Sequence, residues 1–233
     1  MTFTPSFGRP FSPSFKPNSL SGGGYKIWYT LDGLISAANC KAAYQPKGAA
    51  DYATSKVNLA NPGTYNATDV SAPAWDATDG WKFNGTTNAL EIAITNMSAY
   101  GQNNSYAIRI KAPTKDGAVF GYSQVGQHRF GINFWAGVLE AQNDGIASPT
   151  QAYADGVYIV AGNKVYKNGV DYGSTINTIG GSASLGIKVG CRNFNGTNVN
   201  FPSDAKVLAL SLYQNLVLTP TQVGLLTTAM NAL

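Results

Sequence analysis

Charge is what this chain has least of. Lys, Arg, Asp and Glu together make up 12% of its 233 residues, about half the share of an ordinary soluble domain. Glutamate stands at two positions, Glu91 and Glu140, and histidine at one, His128. A serine triad needs a histidine and a positioned nucleophile, and no Gly-x-Ser-x-Gly elbow accompanies His128. Cysteine is almost absent too. Cys40 and Cys191 sit in no Cys-x-x-Cys and beside no His cluster, which excludes zinc ribbons and dithiol redox motifs. They read as two buried thiols packing as small apolar groups. No apolar run approaches the roughly 18 residues of a membrane span. The first residues lack the unbroken apolar stretch of a secretory signal, because prolines interrupt them.

What is present is apolar, small and polar-uncharged. Hydrophobic residues make up 44%, enough for one sizeable core, and the length suits a single large all-β domain. Asn, Ser, Thr and Gly carry the polar load, a mix that favours strands and turns. The formal charge of +4 is concentrated at one end. Residues 1–30 hold Arg9, Lys16 and Lys26 and no acid, leaving 13 basic against 12 acidic residues in the remainder. The body is nearly neutral and offers no clustered basic patch for nucleic acid.

Residues 1–24 form a leader in which Phe3-Thr4-Pro5-Ser6-Phe7 is echoed by Phe11-Ser12-Pro13-Ser14-Phe15. Pro5, Pro10, Pro13 and Pro17 forbid a helix and leave extended backbone. The closing Gly22-Gly23-Gly24 is a hinge. Disordered segments are aromatic-poor, and four exposed phenylalanines are costly without a partner. At about 3.3 Å per residue, successive rings lie about 13 Å apart, a spacing fit for filling pockets in series on another subunit. Phe3, Phe7, Arg9, Phe11, Phe15 and Lys16 are therefore the candidate anchoring residues. The alternative is that arms of sister copies pair in a homotrimeric stalk.

Beyond the hinge, Leu34 to Lys56 is Ala-rich and predicts one or two short helices broken at Gln45-Pro46-Lys47-Gly48. From Trp81 the pattern becomes short strands with turn punctuation, among them an Asn84-Gly85 turn between two strands. Asn163 and Asn168-Gly169 occupy hairpin positions. "SYAIRIKAP" sets Tyr106, Ile108 and Ile110 against Ala107, Arg109 and Lys111, predicting one wet face. "AKVLALSLYQN" predicts a strand buried on both faces. The C-terminus predicts a core-packing helix, with Thr219 as N-cap, Pro220 at N1, Gln222 closing a capping box, and Val223, Leu226 and Met230 on one face.

From residue 75 on, "GWKFNGTTNALEI", "VYKNGVDYGS", "LGIKVGCRN" and "KVLALSLYQNLVLTPTQVGLL", in this order, make the chain resemble laminin-G-like, concanavalin A-like lectin/glucanase domains. The resemblance implies an antiparallel two-sheet jelly-roll sandwich with short helices before it and a C-terminal helix. The stretch from Leu34 to Gly85 is similar to uncharacterised proteins of tailed bacteriophages and prophages, which resemble this chain over almost its whole length, leader included. That likeness implies a virion component.

Within such a fold, glucanases carry a Glu-x-Asp-x-x-Glu strand for acid and nucleophile. Neither Glu91 nor Glu140 has a second carboxylate so placed, and a non-enzymatic chain is expected. Some domains of the fold bind calcium, and the loop acids Asp116 and Asp144 are weak candidates against a plain Asp-Gly turn. No other cofactor is expected. Glycan binding fits the fold, with Tyr100, Asn103, Asn193, Phe194 and Asn195 as candidates; ordinary polar turns are the plain alternative.

The expected organisation is an arm over 1–24 and a jelly-roll domain over 25–233, whose lead-in is 25–74. The expected role is a non-enzymatic bacteriophage virion protein of the capsid-decoration or head-fibre type. It would be held on a major capsid or tail protein by its arm, as a homo-oligomer with a trimer as the candidate state, without nucleic acid or membrane insertion. Synthesis in the host cytoplasm and display on the virion surface follow. The first alternative is a tail-associated adhesin recognising a host glycan; the second is a carbohydrate-active enzyme.

Overall fold

The computed structural model describes residues 27–95, 97, 102–124, 129–148, 152–178 and 185–233. The candidate anchoring residues, Tyr100 and His128 lie outside them.

In chain order the early elements are a 3-10 turn at Leu31–Gly33, β1 (Cys40–Tyr44), α1 (Tyr52–Ser55), β2 (Thr68–Ser71), β3 (Ala74–Asp76), β4 (Gly80–Lys82) and β5 (Ala89–Ile92). The central strands are β6 (Ser105–Lys111), β7 (Gly117–Ser123), β8 (Arg129–Trp135), β9 (Val138–Asn143) and β10 (Gly145–Ala147). Then come β11 (Gly156–Ala161), β12 (Lys164–Lys167), β13 (Val170–Thr175) and β14 (Asn177–Thr178). The chain closes with β15 (Ile187–Val189), β16 (Arg192–Phe194), β17 (Thr197–Asn200), β18 (Lys206–Tyr213) and α2 (Pro220–Ala232).

The strands form two sheets, as expected for a concanavalin A-like jelly-roll sandwich. Sheet I has eight strands in the order β13-β12-β11-β6-β18-β4-β3, with β1 also on β18. Sheet II has ten, β14-β10-β9-β8-β7-β15-β5-β2, with β16 beside β7 and β17 beside β16. Pairing is antiparallel except for β16 on β7. Strand alternation sends one set of side chains from each sheet into a shared core. Sheet II contributes Leu90, Ile92, Phe120, Tyr122, Phe130, Ile132, Leu139 and Val189. Tyr106 from sheet I enters between Phe120 and Phe130, with ring centroids at 5.0 and 4.9 Å. Its hydroxyl donates to the Gly131 carbonyl at 2.6 Å.

Where β7 meets β8, Gly121 faces Gly131. A Cβ on Gly121 would lie 2.0 Å from the Phe130 carbonyl oxygen, and one on Gly131 would lie 2.1 Å from that of Phe120. Only glycine fits at either position.

A second, smaller core lies on the other side of sheet I. Trp28, Leu31, Ile35, Ala107, Val157, Ile159, Ala209, Val223, Leu226 and Met230 pack there. This layer corrects the wet face predicted for β6. Ala107 is fully buried, and the Arg109 guanidinium donates to the Met230 carbonyl at 2.8 Å, so α2 covers what the alternation left polar. The lead-in is also corrected. Cys40–Tyr44 is a strand paired with β18, with Ala42 and Tyr44 in one core and Cys40 and Ala43 in the other, a burial that overrides alanine's helix propensity; after the break, the short helix α1 forms as expected. The Asn84-Gly85 turn forms, with Asn84 Oδ1 accepting from the backbone N–H of Thr86, Thr87 and Asn88. It joins strands of opposite sheets, β4 and β5. The buried β18, the Asn168-Gly169 turn and the capped C-terminal helix stand as predicted.

Candidate functional site

Side chains on the outward side of sheet II are those that alternate with its core set: Arg129, Asn133 and Trp135 on β8, Glu140 and Gln142 on β9, and Lys188 on β15. A cleft of about 220 Å³ opens among Ser123, Arg129, Trp135, Glu140, Arg192 and Phe194. It follows β8, whose six steps from Arg129 to Trp135 span about 20 Å.

Each wall is held by identifiable contacts. Trp135 precedes a tight turn at Ala136 and Gly137, both at positive φ. Asp116 accepts from both turn amides, at 2.8 and 3.1 Å, and from the Tyr153 hydroxyl. The Tyr153 bond, followed by the Gly137 amide, holds the Asp116 carboxyl below its ordinary value. Trp135 is 56% exposed, and its ring lies 5.0 Å from that of Phe201. Phe201 sits at φ 52, a backbone conformation costly for a bulky residue and found where structure over-determines it.

Arg192 is fixed from three sides. Its guanidinium carbon lies 5.1 Å from the Phe194 ring and 5.4 Å from the Phe201 ring, and Nε donates to Asn200 Oδ1 at 2.8 Å. Burial pushes its pKa down and Arg129 pushes the same way, while Glu140 opposes them. A guanidinium remains charged regardless. Glu140 Oε2 accepts from the amides of Asn133 at 3.0 Å and Gln142 at 2.9 Å. Among the described residues the ion pairs are all made by lysine, so neither cleft arginine has a carboxylate mate there.

The residues singled out in the sequence fall unevenly around this cleft. Phe194 lines it. Asn193 is buried: its Nδ2 donates to the Gly186 carbonyl at 3.0 Å and its Oδ1 accepts from Gly196 N–H at 3.1 Å, so it braces the hairpin and faces no ligand. Asn195 is exposed at a turn, and its N–H donates to the Ser123 carbonyl at 3.1 Å. Asn103 is exposed elsewhere. Asp144 is buried in the β9–β10 turn, Asp116 is committed to the Trp135 turn, and among the described residues no three His, Cys, Asp or Glu cluster to hold a metal. Sequence reasoning missed Trp135, Arg129 and Arg192. The signal was there in "RFGINFWAG", where Arg, Gly, Asn and Trp alternate with Phe, Ile and Phe just before a turn.

The two glutamates lie far apart. Glu91 pairs with Lys188 at 2.8 Å on β5, four strand spacings from β9, or about 19 Å. The two carboxyls of a glycosidase lie about 5–9.5 Å apart, so Glu91 and Glu140 do not form such a pair. Cys40 and Cys191 are both buried and form no disulfide with each other, and burial raises their pKa values to about 12 and about 11.

A second cleft, of about 420 Å³, lies on sheet I beside Arg109, Lys111, Asp155 and Asn168. Its polar groups already serve the fold. Arg109 caps α2, Lys111 bonds Asp79, Asp155 accepts from Ala112 N–H and Asn168 from Val157 N–H.

No family model and no curated protein matches the chain. Solved structures do match it in fold. A Trypanosoma rangeli sialidase mutant displaying trans-sialidase activity is 17% identical with a TM-score of 0.54; the match covers 83% of this chain and 34% of the sialidase. Domain 4 of AbnA, a GH43 extracellular arabinanase from Geobacillus stearothermophilus, in complex with arabinotriose, is 19% identical with a TM-score of 0.51, covering 81% of this chain and 98% of the domain. The binding domain of Paraclostridial Mosquitocidal Protein 1 is 13% identical with a TM-score of 0.57, covering 82% and 52%. The chain thus spans about a third of the sialidase chain, and the likeness defines the fold, a β-sandwich. The expectation of a non-enzymatic chain is corrected by the same matches. Sialidases and an arabinanase contain this fold, so a non-enzymatic role does not follow from it.

Proposed function

We propose that the chain is a carbohydrate-recognition module whose ligand lies in the Trp135 cleft. The observation that carries this reading is Trp135 itself: a large aromatic face, 56% exposed, fixed by a braced turn and surrounded by hydrogen-bonding groups. Sugars present one face of C–H bonds to an aromatic ring and a rim of hydroxyls to polar side chains. Ser123, Arg129 and Glu140 supply that rim. The AbnA domain of the same fold, in complex with arabinotriose, supports the reading by analogy.

Of the roles expected from the sequence, the cleft favours the glycan-recognising adhesin over pure decoration. Attachment to a bacteriophage capsid or tail, through Phe3, Phe7, Phe11 and Phe15 of the leader, is part of the same proposal and rests on the sequence resemblance and the leader's composition.

Isothermal titration of the full chain against neutral and acidic oligosaccharides, arabinotriose among them, tests the cleft. Saturable binding that weakens at least tenfold in Trp135→Ala supports the reading. Unchanged affinity in that variant, or no binding at millimolar sugar, overturns it.

A further inference from the structure

The geometry points to a sugar that bears a carboxylate, such as a hexuronate, as the ligand of the Trp135 cleft; this inference rests on the carbohydrate reading above. Of the cleft's lining residues, Arg129 and Arg192 are cationic and Glu140 is anionic, which leaves one positive charge in excess. Among the described residues Glu140 makes no ion pair with either arginine, and its Oε2 accepts from Asn133 and Gln142 instead.

Holding two guanidiniums in one small cleft costs energy through like-charge repulsion and desolvation. The fold meets that cost with several devices. The Arg192 guanidinium carbon lies 5.1 Å from the Phe194 ring and 5.4 Å from the Phe201 ring, its Nε is bonded to Asn200, and Phe201 is held at positive φ. With Nε engaged by Asn200 and two rings against the guanidinium, the groups Arg192 has left to offer a new ligand are its terminal N–H groups. That presentation suits a planar, two-oxygen acceptor such as a carboxylate. Trp135 touches the same Phe201, so the aromatic platform for a pyranose ring adjoins the fork that would receive the ring's carboxylate. A neutral sugar would leave that one excess positive charge unanswered.

The test compares one sugar with and without its charge. Short oligogalacturonates and their methyl esters are titrated against the full chain by calorimetry, alongside a sulfated oligosaccharide of similar length. The free acid is expected to bind about tenfold or more tightly than the ester, the scale of a charge-assisted hydrogen bond, and more tightly than the sulfated sugar. Arg192→Gln and Arg129→Gln are expected to shrink the acid-to-ester ratio severalfold. Lys164→Gln removes the same charge from β12 of the opposite sheet and is expected to leave the ratio as it is. Acid and ester binding equally, both through Trp135, overturns the carboxylate inference and leaves the carbohydrate reading standing. Sulfated sugar binding as tightly as the acid overturns it in favour of general anion binding. No binding by any of the three, and none by neutral oligosaccharides, removes both.

Discussion

At the residue scale, the few charges of this protein are spent on bracing. Asp79 accepts from Lys111 at 2.5 Å and Lys206 at 2.6 Å, joining the β4 entry to β6 and β18. Those two bonds hold its pKa at about 2. An aspartate whose folded pKa lies below its unfolded value near 3.9 contributes stability above that unfolded value, and the contribution is lost as pH falls through the folded one. Asp79→Asn is therefore expected to lower the melting temperature at neutral pH, with the gap to wild type closing as pH falls from about 4 to about 2. Melting curves across that range check it; a gap independent of pH contradicts it. The same bracing explains which site residues were legible. Asn193 had the composition of a ligand-binding loop residue, yet both ends of its amide are consumed by the hairpin. Asp116, a weak calcium candidate beside the reading of a plain Asp-Gly turn, serves as the clamp of the Trp135 turn. In each case the missing information was a backbone partner supplied by distant folding.

At the element scale, local signals that carry their own physics were readable, and those that depend on tertiary neighbours were not. The C-terminal helix was fully specified by Thr219-Pro220 and Gln222, and both halves of the capping box form. Thr219→Ala is expected to cost about 1 kcal/mol, a fall of about 2–4 °C in melting temperature for a chain of this size, because α2 closes the second core. An unchanged melting temperature contradicts that role. β1 shows the opposite limit. "CKAAY" has helix-forming alanines, and nothing local announces that β18 lies alongside. β6 alternates as a half-wet strand, and only the presence of α2 turns its second face into core. The Asn84-Gly85 turn was legible as a turn, while the change of sheet across it depends on packing.

At the scale of the whole molecule, the sequence resemblance led to the right architecture, and the asymmetry of the sandwich emerged only in three dimensions. Sheet I is covered by α2 and the segment around Trp28. Sheet II carries the Trp135 cleft on its outward side, with its charged lining drawn from β8, β9 and β16. On the proposed reading, the leader of four phenylalanines holds the protein and the cleft on the body recognises a saccharide. Deleting residues 1–20 is expected to abolish incorporation into phage particles while saccharide affinity stays within twofold of the full chain. Undiminished incorporation contradicts anchoring through the arm. The cleft is the central claim, and calorimetry of the full chain and Trp135→Ala against neutral and acidic oligosaccharides tests it most directly. The expected result is saturable binding by the wild type and at least a tenfold loss in the variant. Equal affinity in both proteins, or no saccharide bound at millimolar concentration, contradicts it.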